Sequence, residues 1–528
     1  MRNRFSLKIF SHRLCRKNHQ SFRNYGCLLS SLLILLLTCC LSGCSHNADR
    51  QLERALRLAG QNRPELEAVL KHYANDSLKL EAARFLIKNM SYHFSQKEYY
   101  LSIDGKKYRP DIASFKSKDE VERHCDSLLQ CGYRMQQIKM PDITTLDSAF
   151  IVNNIELAFS VWQKPWAKNT SFSDFCRYIL PYRAQIEEPS LLREEMMQRF
   201  VALLDTAKVT TPLEACTVLN KHLRQVVKYQ ETGLPFYPTI DETYRAGFSR
   251  CDGMCNLGIF IMRAAGIPVT VDNTTWVKMD LGHSWCVVLN DGKFHSFGPG
   301  EDNPDIHAGQ LSKFRHRRPA KVYRFRFDPI EVDANPEDDG YVTVLKNPLV
   351  YDVTSEYLDK TIDIQIATDV IERRSKKLGQ VYLCVHNFYE WKPIALGSCT
   401  DEGECTFKNV VGDNLFMVTD CPDGETLRYI TDPFYVSPSG EIHKFTPRMQ
   451  QHKTLILAKL KGKSTMPHTL HYWDVNRKYF VPLKSIESTD TTQTRNCIPD
   501  NALLWFTIPE RIVNQRIFFL RNDSIKEY

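Results

Sequence analysis

The chain has 528 residues, 43% of them hydrophobic and 25% charged, which is typical of a folded protein and long enough for three or four domains. Its net charge of +7 comes from residues 1–43, which carry seven Arg or Lys and no Asp or Glu. The rest of the chain balances 62 basic residues (69 less these seven) against 62 acidic ones, so bulk charge argues against a nucleic-acid partner.

The N-terminus has the features of an export signal. A basic start is followed by a mostly apolar run from Leu28 to Leu41, which is too short for a comfortable membrane span. Leu41-Ser42-Gly43-Cys44 then resembles a bacterial lipobox, in which the cysteine is lipidated and becomes the mature N-terminus. We therefore expect loss of the signal peptide, residues 1–43, and a protein lipid-anchored at Cys44 in the cell envelope, on the outer membrane or the periplasmic face. An uncleaved N-terminal anchor is the alternative.

Residues 44–200 are predicted to form a helical N-terminal region. Pro64 suits the first turn of a helix that begins near Asn62, and Asp76 suits the cap of the next. The clearest helical pattern runs from Glu194 to Leu204.

Residues 201–330 contain the pattern with the most chemical content. Cys251 opens an apolar run with helical periodicity, and Gly266 and Pro268 end that run near Ala265. A β-like segment then begins at His283.

The β-like segment is predicted to form a hairpin. His283 to Leu289 is rich in aromatic and β-branched residues, and Asn290-Asp291-Gly292 supplies the residues that a tight turn needs. Lys293 to Gly298 would be the return strand.

A cysteine at a helix start and a distant histidine fit nucleophilic catalysis. The unpaired N–H groups and positive dipole end of a helix stabilise a thiolate, whose thiol is otherwise a weak nucleophile. His283 would take the proton from Cys251, whereas the charge of Asp252 beside the thiol would oppose thiolate formation. Taken singly, a buried structural cysteine and a structural histidine are the commoner interpretation, and only the joint pattern favours catalysis.

The same residues resemble the transglutaminase-like superfamily, which has a papain-like α+β core with a Cys-His-Asp site. Cys251, the segment Arg263-Ala264-Ala265-Gly266-Ile267-Pro268 and the segment His283-Ser284-Trp285 match its motifs, and the spacing to Gly-Ile-Pro selects Cys251 over Cys255. Segments at residues 58–66, 85–90 and 172–183 are similar to transglutaminase-like lipoproteins of Bacteroidetes-type bacteria. The resemblance covers roughly residues 50–330.

The chain departs from that family at the third catalytic position. The family's aspartate falls at Gly298, where no carboxylate stands. The first carboxylates beyond it are Glu301, which we favour, and Asp302; the amide of Asn303 is a further alternative. His295 on the return strand competes with His283, but the His-Ser-Trp context favours His283.

A zinc site is the competing interpretation of these residues. Cys251, Cys255, His283 and Cys286 are all residue types that bind zinc. However, His283 and Cys286 on one strand point to opposite faces, and the first two cysteines lie on a continuing helix. We expect neither a metal nor a cofactor.

The remainder of the chain has the texture of β-domains, with short apolar runs between turn clusters. Residues 331–450 are predicted to form a β-sandwich-like domain, and residues 451–528 a C-terminal β-rich domain. Three tryptophans in this part either line a glycan or peptide surface or form the sandwich core: Trp391, Trp473 and Trp505. Two cysteine pairs with short spacing are candidates for disulfides: Cys399 with Cys405, and Cys125 with Cys131.

The sequence thus predicts a multidomain α+β protein with a helical N-terminal lobe, a transglutaminase-like core and C-terminal β-sandwich-like domains. The leading hypothesis is a thiol enzyme that acts on amide bonds of a protein or peptide substrate through Cys251, His283 and Glu301. Water as acceptor makes it a peptidase or amidase, and an amine makes it an acyltransferase. The alternative is a non-catalytic lipoprotein that binds glycan or protein and uses the core as a scaffold.

Overall fold

The computed structural model describes residues 50–231, 233–234, 236–304, 318–330, 343–358, 360–368, 380–421, 426–458, 468–486, 493–507, 516–522 and 524–528. The predicted signal peptide and Cys44 lie outside these residues. Within them, no helix has the length and apolar character needed to cross a membrane.

The helices are concentrated in the first half of the chain. In chain order the α-helices are α1 (residues 50–58), α2 (Arg63–His72), α3 (Ser77–Asn89), α4 (Lys118–Gln130), α5 (Asp142–Thr145), α6 (Ser148–Trp162), α7 (Phe172–Tyr178), α8 (Arg193–Ala207), α9 (Pro212–Val226), α10 (Ile240–Ala246), α11 (Cys251–Ala264), α12 (Thr343–Lys346) and α13 (Thr354–Tyr357). Short 3₁₀ helices cover Gly60–Asn62, Met90–Tyr92 and Ile112–Ser114.

The strands dominate the second half. In chain order they are β1 (Phe94–Leu101), β2 (Lys107–Tyr108), β3 (Arg134–Pro141), β4 (Lys228–Tyr229), β5 (Phe248–Ser249), β6 (Val269–Trp276), β7 (Gly282–Asn290), β8 (Lys293–Phe297), β9 (Pro319–Phe325), β10 (Val350–Asp352), β11 (Ile362–Ala367), β12 (Gln380–Asn387), β13 (Glu390–Cys399), β14 (Glu404–Val410), β15 (Asn414–Asp420), β16 (Arg428–Tyr429), β17 (Phe434–Val436), β18 (Ile442–Lys444), β19 (Arg448–Ala458), β20 (His468–Asp474), β21 (Tyr479–Ile486), β22 (Gln493–Asp500), β23 (Leu504–Thr507), β24 (Ile517–Arg521) and β25 (Ser524–Glu527).

The N-terminal region is helical, as predicted, but it also contains a small sheet. Pro64 lies in the first turn of α2, and the Asp76 side chain caps α3 by accepting a hydrogen bond from Lys79 N. The sheet has the order β2-β1-β3 and is antiparallel. Its main ladder joins β1 to β3 across the intervening α4, so the pairing depends on partners that are distant in sequence and carries no local signal.

The core is an antiparallel sheet with the order β10-β9-β6-β7-β8, covered on one face by helices. Cys286 and Val288 on β7 belong to the hydrophobic core shared with α8, α9 and α11. Trp285 and Val287 belong to a separate cluster on the other face, with Val322 of β9. Strand alternation thus decides which residues of β7 meet α11.

The C-terminal part is built from antiparallel sheets. One has the order β11-β14-β13-β12-β15-β17-β18, with β16 paired to β15, and another has the order β21-β20-β23-β24-β25. Side chains from both enter a single core, among them Phe416 and Phe519. The predicted multidomain α+β fold, with a helical N-terminal region and β-rich C-terminal part, is therefore confirmed. Trp391 and Trp473 are buried in this core, and Trp505 packs against it.

One of the two candidate cysteine pairs forms a disulfide. Cys399 and Cys405 face each other on β13 and β14 and are bonded. Cys125 lies inside α4, Cys131 follows its last residue, and both are free thiols.

Candidate active site

Cys251 is the first residue of α11. Arg250 precedes it with an extended backbone, and the helix ends at Ala264, as the apolar periodicity predicted. Gly266 then takes a positive φ of 82°, a conformation that glycine adopts without strain. The Asp252 side chain accepts a hydrogen bond from Gly253 N at 2.8 Å and pairs with Arg250 at 3.2 Å, so its charge is partly compensated.

The Cys251 thiol is partly exposed, and its sulfur lies next to the first residues of β7. The backbone N–H groups of Ser284 and Asp252 lie close to its sulfur, where they lower the pKa of the thiol and favour the thiolate. Burial, then the neighbouring Cys255 and Asp252, outweigh them and raise the pKa of Cys251 to about 12. The resting group is therefore a thiol at neutral pH, and it needs a base to become a nucleophile.

His283 is the second residue of β7 and lies opposite Thr274 of β6. Its ring stacks on Trp276 with centroids 6.0 Å apart and lies 5.8 Å from Trp285. By strand alternation the ring shares the face of Trp285, away from the body of α11. The Cys251 sulfur reaches the peptide that joins His283 to Ser284, and the contact between sulfur and imidazole stays a prediction.

Glu301 fills the space in front of Gly298, where the expected aspartate is absent. Its Cβ lies 3.1 Å, and its Oε2 3.4 Å, from the position that a Cβ on Gly298 would take. Glu301 keeps an exposed surface, but desolvation by the surrounding protein, and then the charge of Asp302, raise the pKa of its carboxyl group. Burial and then Glu231 raise the pKa of Tyr229, and negative charge on Cys251 and on Glu301 raises it further. This half-exposed tyrosine therefore lies near both groups. The contact of Glu301 with His283 stays a prediction, as does the role of Asp302.

A buried amide on α9 fixes the loop that carries Glu301. The Asn220 Nδ2 donates to Gly298 O and Asp302 O, both at 3.1 Å, and to the side chain of Asn303 at 3.2 Å. Gly300 N donates to the Asn220 Oδ1 at 2.8 Å. Asn303, the alternative orienting amide, is thereby engaged and buried. The sequence analysis missed Asn220, because nothing in its local pattern distinguishes it from other helical asparagines.

The same loop packs tightly against α11. A Cβ on Gly258 would lie 2.7 Å from the Pro299 Cβ, so only glycine permits this approach. A glycine within an apolar helix was the available signal for close packing, because it weakens the helix without such a gain.

A buried ion pair supports the tryptophan of the His-Ser-Trp segment. Arg324 Nε and Nη2 donate to the two carboxylate oxygens of Asp272 at 2.8 and 2.9 Å. Tyr357 also donates to Asp272, and it accepts a hydrogen bond from Trp285 Nε1 at 2.9 Å. Asp272 lies opposite Trp285 on the face of His283, but Arg324 compensates its charge, which marks it as structural.

Arg263 of the Arg-Ala-Ala-Gly-Ile-Pro segment is also structural. Its buried guanidinium donates to three backbone carbonyls: Tyr178 O, Arg183 O and Val269 O. It therefore joins the end of α11 to β6 and to the chain that follows α7.

The remaining candidates lie apart from the thiol's exposed side. Cys255 and Cys286 are fully buried, and the Cys286 sulfur contacts Cys255 O at 3.8 Å. His295 lies opposite Val288, towards the far end of β7 from Ser284. Across the part of the chain that the structure describes, no group of three or more His, Cys, Asp or Glu is arranged to hold a metal ion.

Comparison with known proteins finds similarity among solved structures alone. No protein-family model matches the chain, and no curated protein matches it. One of the similar solved structures is described as "a Putative Cysteine Protease from Cytophaga hutchinsonii" and is 15% identical, with a TM-score of 0.19. The alignment covers 23% of this chain and 42% of that one, which is less than half of its length. That description belongs to the other protein, and a TM-score this low does not establish a common fold.

Proposed function

We propose that the chain is a transglutaminase-like thiol enzyme that acts on amide bonds of a protein or peptide. Cys251 is the nucleophile, His283 the general base and acid, and Glu301 the group that orients the imidazole. The observation that carries the proposal is the position of the thiol at the first residue of α11, beside the backbone N–H of Ser284, the residue that follows His283.

The chemistry follows from the protonated state of the thiol. His283 takes the proton of Cys251 as the sulfur bonds to the substrate carbonyl carbon, then returns it to the nitrogen that leaves as the C–N bond breaks. Water or an amine then attacks the thioester, releases the acyl group and regenerates the thiol. Because the His283 ring lies on the same face of β7 as Trp285, the proposal requires the imidazole to contact the Cys251 sulfur past the first residues of β7.

Glu301 is proposed as the third member because its carboxylate stands in the space left by Gly298. An aspartate there would place its oxygens within about 2.5 Å of its own Cβ, and the Glu301 Oε2 is 3.4 Å from that position. A carboxylate beside the ring would stabilise the imidazolium that forms during proton transfer.

The site of action is proposed to be the cell envelope, with the chain lipid-anchored at Cys44. The lipobox-like segment and the basic, apolar leader support this. Replacing Cys44 with Ala should leave the precursor unprocessed, with residues 1–43 retained and no lipid attached at position 44. A mature N-terminus upstream of residue 44 would overturn this part of the proposal.

Alkylation with iodoacetamide, mapped by mass spectrometry, tests the catalytic pair. The exposed thiol of Cys131 serves as the unactivated reference. At pH 7 we expect Cys251 to react about tenfold faster than Cys131, because its proton is transferred to a base. His283→Ala should abolish this excess, whereas His295→Ala, on the neighbouring strand, should leave it unchanged.

The opposite result would favour the non-catalytic binding lipoprotein. In that case Cys251 reacts more slowly than Cys131 at pH 7, as its burial dictates, and neither histidine variant changes its rate. The absent aspartate at Gly298 is the feature that favours this alternative.

A further inference from the structure

The loop that leads into His283 is held by the C-terminal sheets. It joins Trp276, the last residue of β6, to Gly282, the first of β7, and is closed by a hydrogen bond from Trp276 N to Leu281 O at 3.2 Å. Leu281 has a φ of 71°, in the left-handed region, although it is not a glycine. A conformation of this kind persists only where surrounding contacts enforce it.

Asn387, the last residue of β12, supplies most of those contacts. Its fully buried Nδ2 donates to Trp276 O at 2.8 Å, Met279 O at 3.1 Å and Leu281 O at 2.9 Å. Its Oδ1 accepts from Leu281 N at 2.9 Å. One side chain therefore pairs with four backbone groups along the loop.

A buried ion pair makes a second connection to the same loop. The Asp280 carboxylate, 2% exposed, accepts from Arg516 Nη1 at 2.6 Å and from Phe388 N at 2.8 Å. Arg516 also donates to Val277 O and, at 3.0 Å, to His386 O. Two charges buried in this way must keep their geometry, because separating them leaves each without compensation.

The turn that presents Asn387 is itself strained. Asn387 and Glu390 close a two-residue hairpin between β12 and β13. Its two central residues, Phe388 and Tyr389, have φ values of 56° and 68°, which glycine and asparagine adopt far more readily than aromatic residues. The hairpin that meets the loop therefore carries backbone strain at two consecutive aromatic residues, which indicates that the contacts around it enforce its conformation.

We infer that Asn387 is a positioning residue for His283, with the Asp280–Arg516 pair in support. The inference rests on the proposed function. Leu281, which bonds Asn387 through both its N–H and its carbonyl, is two residues before His283, and Trp276, whose carbonyl Asn387 also binds, stacks on the His283 ring. The C-terminal sheets thus form part of the catalytic unit.

The test compares Asn387→Ala with a matched control away from the loop. Asn89, the last residue of α3, is also buried, and its Nδ2 donates to Phe85 O within the same helix. Both variants lose a buried amide, but only the first frees the 276–282 loop. We expect Asn387→Ala to slow Cys251 alkylation at pH 7 at least tenfold and to speed hydrogen exchange of peptides covering residues 276–282, and Asn89→Ala to do neither. Each rate is measured at a temperature at which circular dichroism shows the variant folded, and Asn387→Ser replaces Asn387→Ala if the latter does not fold.

The alkylation profile against pH separates positioning from general destabilisation. If the variant only displaces His283, the His283-dependent part of the alkylation rate should fall and the rate of the thiolate at high pH should stay unchanged. If the variant loosens the packing around Cys251, both of these rates should rise. The inference is overturned if His283→Ala abolishes the excess reactivity but the Asn387 variant retains the parent profile. If His283→Ala itself has no effect, the proposed function fails instead. The hydrogen exchange of residues 276–282 then measures only whether Asn387 holds this loop.

Discussion

Asn220 should determine both the stability of the core and the position of Glu301. In Asn220→Ala, Gly300 N loses its hydrogen-bond acceptor in a partly buried setting, which costs about 1–3 kcal/mol. Gly298 O and Asp302 O each keep one backbone partner, Glu301 N and Gly298 N, so their loss is smaller. With the lost side-chain packing we expect a total of about 2–4 kcal/mol.

Asn220→Asp gives the sharper test, because it keeps the size of the side chain. Its first oxygen still accepts from Gly300 N, but the second faces Gly298 O and Asp302 O, which are acceptors. The buried carboxylate is therefore repelled, its pKa rises, and the stability deficit should shrink as the pH falls and the group becomes a donor.

Urea unfolding at pH 7.5 and pH 5, with Cys251 alkylation at each pH, measures both effects. The reasoning is refuted if Asn220→Ala unfolds within about 0.5 kcal/mol of the parent, the size of an ordinary surface substitution. It is also refuted if the Asp variant shows no pH dependence beyond that of the parent protein.

Two further predictions concern the orienting acid and the response to pH. Glu301→Gln should reduce the His283-dependent alkylation of Cys251 about tenfold or more without altering the fold, since an amide cannot compensate the charge of imidazolium, whereas Asp302→Asn should have little effect. If only Asp302→Asn reduces the alkylation rate, Asp302 is the orienting residue. If neither variant changes the rate, the site has no third member. In the folded state, burial lowers the pKa of His93 and of His386 to about 3, and the charges of Arg183 and Arg516 respectively add to this effect. As the pH falls below about 6.5, the unfolded chain therefore takes up protons that the folded protein does not, and the free energy of unfolding decreases. Between pH 7.5 and pH 5 each histidine should lower the free energy of unfolding by about 2 kcal/mol. Urea unfolding midpoints of the parent and of His386→Gln, measured at both pH values, test this. Equal midpoints of the parent protein at the two pH values would contradict it.

Local pattern was sufficient to predict the elements that carry the site. The periodicity after Cys251 and the Gly266 stop define α11, because both are properties of a few consecutive residues. The Asp291-Gly292 turn has φ values of 49° and 73°, as a hairpin of this composition requires. The Cys399–Cys405 bond was equally accessible, since a short turn brings the two cysteines together.

The tertiary structure alone decided how those elements are held. Asn220 reaches a loop 78 residues away, Asp272 pairs with an arginine 52 residues away, and Asn387 clamps a loop more than 100 residues earlier in the chain. Periodicity and capping reflect the local geometry of helices and strands, whereas a buried amide or carboxylate is satisfied by whichever backbone group packing brings to it. The sequence therefore indicated the candidate catalytic residues, and the fold selected the residues that hold their segments in place.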